Sequence, residues 1–205
     1  MEKAYRNLGY YFLLLIPLIF IGFYKTYFIQ FPSFKENITS WMHIHAMIAT
    51  LWIIMLIVQP LLIRNKKFKQ HRLVGKISYV VFPLLILSFI PQILRVINSG
   101  YPEFVFFPLA DSVLLILFYG FAIANRKKTP KHMRYMIGAA TVFLGPTFGR
   151  IGPLLLSLSE KLTQNLLYAF IYLILAGLIW MDQKHKRNFY PYLVIALGWV
   201  VHQII

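Results

Sequence analysis

Residues 41–76 read WMHIHAMIATLWIIMLIVQPLLI followed by RNKKFKQHRLVGK. The first 23 of them hold no Lys, Arg, Asp or Glu. At about 1.5 Å per residue they are long enough to cross a hydrocarbon core of about 30 Å. The next 13 hold six Lys or Arg and no acid, which is the composition of a short cytoplasmic loop under the positive-inside rule. The stretch predicts a transmembrane helix that leaves the bilayer on its inner side, and this sets the sense of every other segment. Inside the helix, His45 and Gln59 are fourteen residues apart, close to four full turns, and share a face with Trp52. That face is expected to look into the protein.

Outward from this stretch, the chain keeps the same character. Of its 205 residues 59% are hydrophobic, 17% aromatic and only 13% charged, against a charged fraction of about 25% in soluble domains. The formal charge of +15 could suit nucleic acid, but most of the cations fall in three short loops between apolar segments, where anionic lipid is the partner and nucleic acid is not. There is no Cys, which excludes disulfides, thiolate ligands, a thiol nucleophile and covalent haem attachment through cysteine. The amino-terminal MEKAYRNLGYYFLLLIPLIF has a basic start but no small-residue cleavage site, and is read as a retained first helix.

Hydropathy and loop charge predict an all-α polytopic bundle of seven transmembrane helices, a single domain over residues 1–205. The spans fall at about 8–29, 41–63, 75–98, 104–125, 133–157, 166–181 and 190–205. The last is so short that six spans is the rival count. Lys3 and Arg6, then the loops at 64–76, 126–132 and 182–189, are basic. The intervening loops hold Lys35 and Lys161 against Glu36, Glu103 and Glu160. The expected location is the bacterial cytoplasmic membrane, amino terminus in and carboxyl terminus out. No internal repeat or linker is evident, and no oligomeric state is implied. Pro17, Pro60, Pro83, Pro91, Pro146 and Pro153 lie in or near spans, where each removes a backbone donor. Gly138, Thr141, Gly145, Gly149 and Gly152 form a small-residue stripe suited to close helix packing.

The charges expected at membrane depth are Arg95, Asp111 and Arg150. Each costs roughly 2.5–3.5 kcal/mol at a helix centre, so they should pair or converge on a polar cavity. Ser88 and Gln92 align with Arg95 at seven and four residues. With Gln59, Gln92, Arg95, Asp111 and Arg150 around it, such a cavity would suit a carboxylate, a phosphate or a haem propionate. An ion pair between Arg95 and Asp111 that merely holds two helices together is the plainer alternative.

The histidines divide by side. His43, His45 and His202 belong to the outer face, and His71, His132 and His185 to the inner. His43 and His45 are about 200° apart on one helix and cannot readily serve one site. His45 and His202 outside, with His71 and His132 inside, are the candidate ligands. Haem b is the first cofactor considered and zinc the second. For the inner pair, the competing expectation is contact with lipid headgroup phosphates beside Arg72 and Arg134.

The pattern of His45, then Gln59-Pro60 before the basic end at Arg64, His71-Arg72-x-x-Gly75, and later His132-x-Arg134-Tyr135-Met136 with Arg150 fourteen residues beyond, resembles a family of predicted polytopic bacterial membrane proteins classed as a domain of unknown function. The likeness covers about residues 41–152. Met133 and Tyr135 stand where that family tends to have Arg and Trp. The resemblance implies that these polar residues belong to one site, and it carries no activity.

Three functions compete on these residues. One is an intramembrane cavity binding a small anionic molecule or haem b, with Arg95 and Arg150 on propionates. A second is a metal-dependent intramembrane hydrolase using His45, His202 and Asp111. The third is a non-enzymatic transporter or accessory subunit.

Overall fold

A computed structural model of the chain describes residues 2, 5–34 and 38–204, and every regular element among them is a helix. Lys3, Lys35 and Glu36, which entered the loop-charge count, lie outside the described residues. The all-α expectation holds. The helices are α1 Leu8–Leu13, α2 Leu15–Tyr24, α3 Ser40–Arg64, α4 Phe68–Leu87, α5 Phe89–Ile97, α6 Phe106–Ala124, α7 Thr129–Thr141, α8 Leu144–Leu155, α9 Glu160–Lys184 and α10 Tyr190–Ile204. Single turns at Phe28–Gln30 and Pro102–Val105 join α2 to α3 and α5 to α6. The segments Ser40–Arg64, Phe68–Ile97, Pro102–Ala124 and Glu160–Lys184 are long and apolar enough to cross a membrane, and Leu8–Tyr24 and Tyr190–Ile204 are shorter apolar helices.

Three predicted spans are each split into two helices, and proline chemistry places the splits. A proline cannot donate to the carbonyl four residues back, and its ring crowds that turn. Leu14, Ser88 and the pair Val142 and Phe143 precede Pro17, Pro91 and Pro146 by three or four residues. At the last break the orphaned Val142 carbonyl accepts instead from the Gly145 N–H at 3.1 Å. Pro60, Pro83 and Pro153 sit inside unbroken helices.

Helix starts differ from the predicted spans. α4 begins at Phe68 rather than residue 75, so Lys69, Arg72 and Lys76 ride on the helix and only residues 65–67 connect α3 to α4. α9 begins at Glu160, where the Ser159 hydroxyl accepts from the Leu162 N–H at 3.3 Å. That is the N-cap bond that short polar side chains supply.

The chain forms two compact units, residues 1–112 and 113–205. In the first, α3 packs on α1, α4 and α5. Its core holds Trp52, Leu56 and Leu85, with the rings of Trp52 and Phe82 5.1 Å apart. The basic end of α3 is fastened to α1, because Arg64 donates to the Asn7 side chain and lies 4.6 Å over the Tyr10 ring. In the second, α10 packs on α7 and α9, and α8 on α9, around Ile171, Leu175, Ile195 and Trp199. Close approach explains the glycines: a Cβ at Gly138 would stand 2.7 Å from Ile195, and one at Gly152 would stand 2.8 Å from the Thr163 Cβ. The small-residue stripe packs helices, as expected, but against two different partners.

Candidate functional site

The predicted shared face of α3 is real in its contacts. Trp52 is buried, while His45 and Gln59 are half-buried and both reach the segment formed by α4 and α5. His45 Nδ1 lies 2.8 Å from the Ser88 hydroxyl, which donates its one proton to the Leu85 carbonyl at 2.6 Å. Ser88 must therefore accept from His45, which puts the proton on Nδ1 and makes Nε2 the basic nitrogen. The Phe89 ring stands edge-on at 4.9 Å. His45 is thus held at the Ser88 break, where the turn that ends α4 needs its carbonyls satisfied.

Gln59 makes a second clasp at the other end of α3. The Gly75 N–H can only donate and the His71 carbonyl can only accept. The Gln59 amide therefore presents its oxygen to Gly75 N at 2.9 Å, and its NH2 to His71 O at 3.1 Å and to His71 Nδ1 at 2.5 Å. Nδ1 of His71 is then an acceptor, and its ring proton is on Nε2. This joins Gln59, His71 and Gly75, three residues of the motif, into one hydrogen-bonded unit.

The hairpin between α6 and α7 is built in the same way. The Asn125 side chain caps α6 by donating to Phe121 O at 2.9 Å, as Asn65 caps α3 by donating to Leu61 O at 2.9 Å. A basic link follows. His132 then reaches back to the preceding helix, its Nδ1 donating to Ala122 O at 2.8 Å. The two histidines have opposite tautomers: His71 carries its proton on Nε2, whereas His132 carries it on Nδ1.

Arg134 overturns an expectation. Placed among headgroups by the sequence, it is fully buried, and so is Asp182 on α9. Arg134 Nε donates to Asp182 Oδ2 at 2.6 Å, Nη2 donates to Oδ1 at 2.9 Å, and Nη1 donates to Pro130 O at 2.9 Å. The Tyr192 ring lies 5.9 Å from the guanidinium carbon. A charge held this tightly by a buried carboxylate has no surface left for a phosphate. Asp182 is the residue that sequence reasoning missed. Its one signal was being an acid inside an otherwise basic segment.

Of the expected membrane-depth charges, Arg95 is exposed on the last turn of α5 and Asp111 is buried in α6. Arg150, half-buried on α8, donates to Pro146 O at 2.7 Å, a carbonyl of its own helix. Arg95 and Asp111 belong to the first unit and Arg150 to the second. Gln92 Nε2 donates to Trp41 O at 3.5 Å.

His202 is buried in a cluster with Tyr168 and Trp199. The Tyr168 hydroxyl lies 2.9 Å from His202 Nδ1 and 3.2 Å from the His202 carbonyl, to which it can donate. The Trp199 indole donates to the Thr141 hydroxyl at 3.0 Å, which donates to Gly138 O at 2.7 Å. His43 meets the Tyr27 hydroxyl at 2.6 Å, and His185 donates to Met181 O at 2.7 Å. Among the described residues no group of three or more His, Cys, Asp or Glu side chains gathers. Set against protein-family models, curated proteins and solved structures, the chain finds no match.

Proposed function

We propose that this chain is a multi-pass protein of the bacterial cytoplasmic membrane, amino terminus in, that binds haem b or a small anionic molecule through polar residues between its helices. The observation that carries this reading is the common tethering of His45, His132 and His202. Each is held at Nδ1 by an oxygen 2.8 to 2.9 Å away. Hydrogen bonds of this kind orient imidazoles that serve as metal ligands. In the haem version the axial nitrogen and the cation for a propionate come from the same unit, His45 with Arg95 in the first or His132 or His202 with Arg150 in the second. His71 drops from the ligand set, because its Nε2 bears the proton. In the anion version Arg95 acts with Gln92 in the first unit.

The test is an absorption spectrum of the protein purified in mild detergent, with iron and zinc analysis. A Soret band lost on His45→Ala, His132→Ala or His202→Ala but kept on His71→Ala is the expected result. Absence of both Soret absorption and iron overturns the haem version. A transporter is the second reading, favoured by the interruptions at Ser88 and at Val142 and Phe143, since broken spans free backbone groups for a substrate. Anion uptake into proteoliposomes by haem-free protein is its test.

A further inference from the structure

We propose that the first turns of α4 form a binding site for an anionic phospholipid on the basic-loop side. Lys69, Arg72 and Lys76 follow one another at intervals of three and four residues, which puts all three on one face of α4, and all three are exposed. No acid occurs anywhere from residue 37 to residue 102, so nothing nearby in the chain neutralises them. The same face continues along the helix as Leu73, Val80, Leu84 and Leu87, at 60%, 63%, 46% and 57% exposure. The opposite side is spoken for: His71 is clasped by Gln59, and Ser78, Val81, Phe82 and Leu85 are buried.

The occupant follows from the continuity of charge with apolar surface. Three cations alone would attract any phosphate. Three cations opening onto an apolar track about 20 Å long select a phosphate that carries acyl chains. The headgroup phosphate sits among Lys69, Arg72 and Lys76, and the chains lie against Leu73, Val80, Leu84 and Leu87. The matching hairpin does not repeat the site, because Arg134 turns inward to Asp182. This inference rests on reading the chain as a membrane protein whose basic loops face the cytoplasm, where anionic lipid is concentrated.

Native mass spectrometry of the full chain in detergent, titrated with phosphatidylglycerol, phosphatidylcholine or glycerol phosphate, tests it. The expected result is retention of phosphatidylglycerol over phosphatidylcholine, with a loss of more than tenfold in the variant K69Q/R72Q/K76Q. Glycerol phosphate, which has no tails, should not compete. Equal phosphatidylglycerol retention by the variant overturns the site, and competition by glycerol phosphate at similar concentration overturns the lipid as occupant. Arg72→Gln alone, with an unchanged thermal transition and weaker lipid retention, separates the site from a folding defect. Carbonate extraction of membranes is independent: release of the protein would remove the membrane reading itself, whereas retention with an indifferent variant removes only this site.

Discussion

Arg134 and Asp182 meet through two parallel hydrogen bonds, 2.6 and 2.9 Å long, with neither side chain exposed. The pair ties the start of α7 to the end of α9. Removing one partner leaves the other charge buried without compensation, at a cost of roughly 3–5 kcal/mol. Arg134→Met and Asp182→Leu are therefore each expected to lower the thermal transition in detergent sharply. The double variant should recover most of the loss. A double variant as unstable as either single one would show that the pair does not act as a unit.

Gln59 is the joint between α3 and the motif around His71. Gln59→Leu removes partners from Gly75 N–H and from the His71 carbonyl and ring at once, and is expected to destabilise by about 1–3 kcal/mol. The ring carries a sharper readout. Nitrogen-15 spectra of labelled protein should show His71 protonated on Nε2 and His132 on Nδ1. The same tautomer at both positions would refute the contrast.

Glycine contacts predict an ordering of substitutions. Gly152→Ala forces a Cβ against Thr163, whereas at Gly177 a Cβ meets nothing within 4 Å. Overpacking at Gly152 should cost about 1–3 kcal/mol, while Gly177→Ala is expected to be neutral or to stabilise by up to about 1 kcal/mol. The double change Gly152→Ala with Thr163→Ala should relieve the clash. Thermal unfolding of the set in one detergent tests the ordering.

Topology follows from charge. Reporter fusions at Lys69, Lys127 and Lys186 are expected to be active only with reporters that work in the cytoplasm. A fusion at Ser99 should behave in the opposite way. Activity of an exported reporter at Lys69 would invert the orientation and the leaflet assigned to the lipid site.

The all-α class, the run of apolar segments and the basic character of alternate loops are legible in the order of residues alone. These depend on quantities that add along the chain: transfer of consecutive side chains out of water, the 100° turn per residue, and local charge density. The inward face of α3 was legible for the same reason, since His45, Trp52 and Gln59 share it by spacing alone. The polar partners emerge only once the helices have packed. Gln59 finds His71 twelve residues away and Arg134 finds Asp182 forty-eight residues away. No local pattern states such pairings, so Arg134 looked like a headgroup cation and Asp182 like a loop residue. The two hairpins share an Asn cap followed by a tethered imidazole at spacings that differ by one residue, because Asn65 precedes His71 by six and Asn125 precedes His132 by seven. Only the hydrogen bonds that cap each helix and tether each imidazole reveal this. A buried polar group must be satisfied wherever the fold brings a partner, and that partner is selected by three-dimensional proximity, not by distance along the chain.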